Sequence, residues 1–206
     1  MKQTVKAVKR FATVLAASAV ITVFGFSSGF VTSVNAEEYG YYAEPRWMQW
    51  YGQYSNPYTE IGSGNMQRNG CVPTAAAMYL SSLGIYVSPT DMGYYLNSTG
   101  NFNSTYGSGG TDLCWYDVAA YAGGYACGIY DYDSFVNALC SGAVVAAHVY
   151  YGGCTHAILA TGYSNGETLV YDSIGGTYMR STESIWNSQS YAWNDRLSGT
   201  SIIALY

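Results

Sequence analysis

Cys71 lies in Asn69-Gly70-Cys71-Val72-Pro73-Thr74-Ala75-Ala76-Ala77-Met78, where a glycine-bearing loop passes into an alanine-rich run. Proline is tolerated in a first helical turn, alanine is the best helix former and Gly84 suits a stop, so the spacing predicts a helix beginning beside the thiol. A helix N-terminus presents unpaired N–H groups and the positive end of the dipole, and both favour thiolate over thiol. The thiolate is the form that attacks a carbonyl carbon. Such chemistry needs a base and a group to orient it. The chain has two histidines, His148 and His156. His156 opens the apolar run His156-Ala-Ile-Leu-Ala-Thr-Gly-Tyr163 just after Gly152-Gly153, and Asp172 follows on the next run, Thr168-Leu-Val-Tyr-Asp172. Ser164-Asn165-Gly166 between them is a tight-hairpin signal. That turn places residue 172 opposite residue 158, one diagonal step from His156 on the same face. A carboxylate there accepts the imidazole N–H and fixes its tautomer. His148 has no carboxylate at hairpin distance, and Asn165 is a turn residue.

Thiol acyl transfer also requires donors for the oxyanion. The Cys71 N–H supplies one. A carboxamide supplies the other without competing for the histidine proton, and the spacing leaves Gln49, Gln53 and Gln67 as candidates.

The chain contains five cysteines, at 71, 114, 127, 140 and 154. In an exported protein an odd count leaves one thiol over. With Cys71 as the nucleophile, the other four are expected to form two disulfides, whose pairing the sequence leaves open. The chain has no CxxC pair, and Cys154-Thr155-His156 is a weak metal signal; neither a metal nor a cofactor is expected.

The elements that must position these residues follow a signal-like start. Lys2, Lys6, Lys9 and Arg10 precede an uncharged apolar stretch, Phe11 to Phe30, and Val34-Asn35-Ala36 offers the small residues a signal peptidase reads. Residues 1–36 are therefore expected to be a secretory signal, although the apolar stretch is also long enough for a membrane anchor. Residues 37–49 are expected as a leader or linker and 50–206 as one catalytic domain. Of 8 Lys and Arg, only Arg46, Arg68, Arg180 and Arg196 lie beyond residue 36, against all 13 acids, giving 4 − 13 = −9. Nucleic acid and anionic membranes are poor partners for such a chain. The 23 tyrosines fit half-buried packing, or stacking on sugar or peptide ligands.

Helices are expected over Thr74 to Leu83, Ser88 to Asn97, Thr111 to Tyr121 and Ser134 to Cys140, with Gly100 to Gly110 a long loop and Ile61 to Gly70 a shorter one. Strands are expected over Ala143 to Tyr150, His156 to Tyr163, Thr168 to Asp172 and Ser201 to Tyr206, with one helical turn near Ser181 to Trp186. Helices first and antiparallel strands after make an α+β layout.

Gly70-Cys71-Val-Pro-Thr-Ala-Ala-Ala-Met, together with His156-Ala-Ile-Leu-Ala-Thr-Gly-Tyr and Val-Tyr-Asp172, resembles the C39-like cysteine peptidases of the papain-like superfamily. The resemblance spans roughly Trp50 to Tyr206. It implies a papain-like fold, N-terminal helices on a C-terminal antiparallel sheet, and a Cys71–His156–Asp172 triad hydrolysing peptide bonds through a thioester. It also implies an oxyanion glutamine a few residues before the cysteine, which favours Gln67, with Gln53 second. The family's usual Cys-Gly-Pro is Cys-Val-Pro here, and Val72 is expected to narrow the cleft. Members fused to export transporters cut leader peptides after a double glycine; the signal directs this chain outside, so that role is not expected. The expected protein is a secreted, or cell-surface associated, cysteine peptidase acting on peptide or protein substrates. The alternatives are a cell-wall peptide amidase or endopeptidase with the same triad, and an inactive tyrosine-rich surface-binding module.

Overall fold

The computed structural model describes residues 43–61, 64–100, 114–190 and 199–206. The chain divides into Met1–Val34 and Asn35–Tyr206, and every described residue belongs to the second unit. The expected signal peptide, the leader as far as residue 42, the body of the 100–110 loop and the Thr111-Asp112 cap lie outside the described residues.

A short hairpin, β1 (Glu60–Ile61) with β2 (Gly64–Asn65), leads into α1 (Met66–Asn69) and then α2 (Cys71–Ser82). Cys71 is thus the first residue of its helix. All of α2 from Cys71 to Ser81 is buried. A helix apolar on every side must be enclosed, and α2 is packed by the helices after it and by the sheet. The burial ends at the C-cap, Leu83, which is 39% exposed. α3 (Pro89–Thr99) starts at Ser88, whose hydroxyl accepts the Asp91 N–H, and stops at Gly100 in the left-handed region. That is a side-chain N-cap and a glycine stop. α4 (Cys114–Tyr121) follows, then β3 (Ala126–Gly128) and α5 (Tyr132–Cys140), which is capped by Asp131.

The sheet has six strands in the order β3-β8-β4-β5-β6-β7, all paired antiparallel, where β4 is Val144–Tyr151, β5 Cys154–Ser164, β6 Glu167–Asp172, β7 Gly176–Ser181 and β8 Ile202–Leu205. The β5–β6 turn is Asn165-Gly166, both at positive φ (52° and 79°), which suits an Asn-Gly hairpin. Side chains alternate across the sheet. Val144, Ala146, Ala157, Leu159 and Tyr171 join a core with Tyr79, Leu80 and Trp115 on the α2–α4 side. Val145, Ala147, Ile158, Ala160 and Val170 join a second core with Phe135 and Leu139 of α5 and Ile185 of α6 (Thr182–Asn187). Covering both faces explains why the central strands read as unbroken apolar runs. This is the expected α+β fold, helices first and an antiparallel sheet after. The expected 61–70 loop instead holds the end of β1, all of β2 and α1, and β3 and β7 are likewise unforeseen. α1 and β3 are a turn or less, and β7 alternates half-buried and exposed positions on the sheet edge, so none carries a strong pattern.

Residues 43–53 form a strap along β5 and β6. Ala43 accepts the Tyr163 N–H, Arg46 donates from its backbone to Thr161 Oγ1 and from Nη2 to Gly142 O, and Met48 N donates to Tyr171 Oη. Gln49 N donates to Ser81 Oγ (2.7 Å) and Met48 is buried. The stretch expected as linker is, from residue 43 on, bound to the sheet.

Candidate active site

Gly70 packs its Cα hydrogens against the carbonyl of Met66: a Cβ there would lie 2.3 Å from Met66 O. The chain is therefore able to pass from α1 into α2 without a gap and deliver Cys71 at the helix start. Cys71 is a free thiol, 3% exposed. It is hydrogen-bonded to the His156 side chain. His156 Nε2 lies 2.7 Å from Asp172 Oδ1. The β5–β6 register sets Ile158 opposite Asp172, as the hairpin count required. Cys71, His156 and Asp172 are thus brought together.

The β6–β7 turn wraps the carboxylate. Asp172 Oδ1 also accepts the Ile174 N–H (2.8 Å), the Gly175 N–H adds a further backbone bond, and Tyr178 Oη donates to Oδ2 (3.1 Å). Gly175 has to be glycine here, since a Cβ would stand 2.9 Å from Oδ2. Burial opposes the carboxylate's charge, but the His156 bond and the two backbone N–H groups outweigh it and hold the carboxyl down to about 2. Burial likewise opposes charge on His156. The bonds to Asp172 and Cys71 and the electrostatic attraction of the pair outweigh it and push the imidazole up to about 10.

Gln67 and Gln53 are placed differently. The Gln67 side chain is exposed on α1, and its backbone carbonyl accepts Gln53 Nε2 at 2.9 Å. Gln53 is 3% exposed, in a single 3-10 turn, Gln53–Ser55, at the end of the strap. Ser173 Oγ donates to its Oε1 (3.1 Å), and its backbone N–H reaches Ser173 O (2.9 Å). A carbonyl only accepts and a hydroxyl with no other acceptor donates, so these two bonds fix which end of the amide is nitrogen. One Nε2–H remains. Gln53 therefore spans from the segment before Cys71 to the segment after Asp172. Gln49 is exposed.

The other expectations fall as follows. Val72 is 0% exposed and belongs to the α2 core, so it fills the interior instead of narrowing the cleft. His148 is 0% exposed and its Nε2 accepts the Trp115 indole N–H at 2.8 Å, a core bond remote in role from the thiol. Cys127 is a free, exposed thiol, so the expected pairing of all four remaining cysteines is not seen among the described residues. It lies on β3, three strands from Cys154 on β5. That is a lateral separation of roughly 14 Å, beyond disulfide reach. Sequence reading missed Ser173, Tyr178 and Trp50, whose indole N–H donates to Asp172 O at 2.7 Å. The only signal for Ser173 and Tyr178 was their closeness to Asp172 in the chain; Trp50 had none.

A thiol at a helix start, an imidazole bonded to it and a carboxylate bonded to that imidazole supply the groups of a thiol-dependent acyl-transfer hydrolase. The family model described as Peptidase C39 like family matches residues 45–196. The chain belongs to that family, and it is a cysteine-type peptidase. Solved structures similar to it include the peptidase domain of Streptococcus ComA, a bi-functional ABC transporter involved in a quorum-sensing pathway, at 17% identity and TM-score 0.48, covering 73% of this chain and 96% of that one. Another is a double glycine motif protease from an AMS/PCAT transporter in complex with a leader peptide, at 14% identity and TM-score 0.48, covering 73% of this chain and 94% of that one. No curated protein matches the chain.

Proposed function

We propose that this is an exported peptidase that cuts peptide bonds with Cys71 as nucleophile, His156 as proton carrier and Asp172 as its orienter. The observation that carries the reading is that His156 is bonded to the thiol on one side and to the carboxylate on the other. His156 takes the thiol proton as the sulfur attacks the carbonyl carbon, so the nucleophile is the thiolate. The tetrahedral oxyanion forms against the Cys71 N–H and an amide donor. Gln53 is the better candidate for that donor, because it is buried between the two walls and has a proton to spare, whereas the Gln67 side chain faces out. His156 then gives its proton to the leaving amine, and the neutral imidazole takes one from the water that hydrolyses the thioester.

The test is hydrolysis of a quenched fluorogenic peptide library. Cys71→Ala is expected to abolish turnover, and Gln53→Ala to lower kcat by about 10²–10³ with little change in KM. Gln67→Ala is expected to leave kcat near wild type. Equal loss in the two glutamine variants would refute the choice of Gln53, and turnover in Cys71→Ala would refute the mechanism. Export is tested by N-terminal sequencing of secreted protein, expected to begin at Glu37; a start at Met1 or Lys2 refutes cleavage there.

A further inference from the structure

The proton that His156 gives up goes to the leaving amine, so the leaving half of the substrate must lie on the His156–Asp172 side of the thiol. Two large apolar residues are hydrogen-bonded to Asp172. Trp50 is locked by its indole N–H on Asp172 O, yet it is 45% exposed. Ile174 is anchored through its backbone N–H on Asp172 Oδ1, and it is 43% exposed. The indole bond holds the Trp50 ring, the backbone bond fixes where the Ile174 side chain starts, and each keeps much of its surface in water. Tyr54, in the 3-10 turn beginning at Gln53, is 51% exposed. None of the three carries a charge, and Asp172 is itself buried and satisfied by its own donors.

Resting on the proposed peptidase reading, we infer that Trp50 and Ile174 form a fixed apolar shelf that selects peptides with an aliphatic or aromatic residue immediately after the scissile bond. An apolar side chain laid there covers surface on both partners and displaces water from it. An acidic one gains no partner and brings a second negative charge toward Asp172. The preference arises only when the leaving group is correctly seated, so it is expected in kcat/KM.

The experiment is cleavage of a peptide library randomised on both sides of the scissile bond, with products sequenced by mass spectrometry. Leu, Ile, Phe, Tyr and Trp are expected to dominate the first position of the released C-terminal fragments, with kcat/KM about 10–100-fold above Asp or Gly there. In Ile174→Asp the backbone N–H to Asp172 is kept and an exposed side chain is changed. The ratio of kcat/KM for an apolar over a Gly residue at that position is expected to fall about tenfold, a ratio that a general loss of activity would not move. Ile174→Ala is expected to fall between the two. Cys71-dependent cleavage without apolar enrichment overturns the shelf alone, as does enrichment that Ile174→Asp leaves intact. Absence of any cleavage lost in Cys71→Ala overturns the peptidase reading and the shelf with it.

Discussion

Gly70→Ala tests whether the path of the backbone into Cys71 sets the activity. Gly70 has φ −80° and ψ −4°, a conformation open to any residue, so alanine meets no dihedral penalty there. Its Cβ, however, would lie 2.3 Å from Met66 O and 2.9 Å from the Met66 carbonyl carbon and Cα. Ordinary C···O approach is about 3.3 Å, so the backbone must yield by about 1 Å. The atoms in the way are main chain and have no rotamer to change. The same short segment carries the Gly70 N–H to Met66 O (3.0 Å) and the Thr74 N–H to Gly70 O (3.0 Å). The shift is thus passed to the next residue, which is Cys71. Misplacing a reacting atom by about 1 Å costs on the order of 10²-fold in rate. The overpacking itself is expected to cost about 1–3 kcal/mol of stability. The assay pairs kcat/KM on a cleaved peptide with urea unfolding. The expected result is a folded variant with about a hundredfold lower kcat/KM. A Gly70→Ala enzyme with wild-type activity and wild-type stability would show that α1 moves freely with respect to the thiol, and the steric argument would fail.

Two further outcomes are expected. Trp115→Phe removes the indole N–H from a fully buried histidine and leaves His148 Nε2 without that donor; the loss is expected to be about 1–3 kcal/mol by urea unfolding, and an unchanged midpoint would refute it. The His156–Asp172 pair makes stability depend on pH in a signed way. Asp172 is lowered from 3.8 to about 2, so its contribution is present above 3.8 and lost as pH falls through about 2. His156 is raised from 6.5 to about 10, so its contribution is full below 6.5 and lost as pH rises through about 10. The Tm advantage of the wild type over Asp172→Asn is therefore expected to be flat from 3.8 to 6.5 and to shrink on either side; an advantage that grows from neutral toward alkaline pH would refute it.

What was legible from the residues was whatever local chemistry dictates. Gly70-Cys71 announced a helix start, Asn165-Gly166 announced the turn, and the turn fixed Asp172 opposite Ile158 and so one step from His156. What was not legible depends on contacts between distant segments. Val72 looked like a cleft residue because it follows the thiol, yet one helical step turns it into the core. Tyr178 sits on an edge strand with a weak pattern, and its bond to Asp172 exists only because Gly175 lets the turn close on the carboxylate. The cysteine count implied disulfides, but sheet order puts Cys127 and Cys154 three strands apart.

With Gln53 as the proposed oxyanion donor, the strap is what brings that amide to the site from far upstream. In a chain where a loop runs straight into the nucleophile helix, a glutamine a few residues upstream lies beside the thiol. Here α1 occupies that stretch, and its four residues turn the Gln67 side chain outward while its carbonyl points toward the site. Gln53, the proposed donor, lies eighteen residues before Cys71 and is carried in by a strap bonded in turn to β5, Tyr171, Ser81 and Asp172. Distance along the chain is no obstacle when each step of the strap is anchored, because the loop-closure cost has already been met by those bonds. The arrangement also makes the proposed donor answerable to both walls at once: Gln53 is hung from Gln67 O next to the nucleophile helix and from Ser173 next to the carboxylate. A displacement of either wall therefore moves the amide, which a donor fixed on the nucleophile helix alone would not feel.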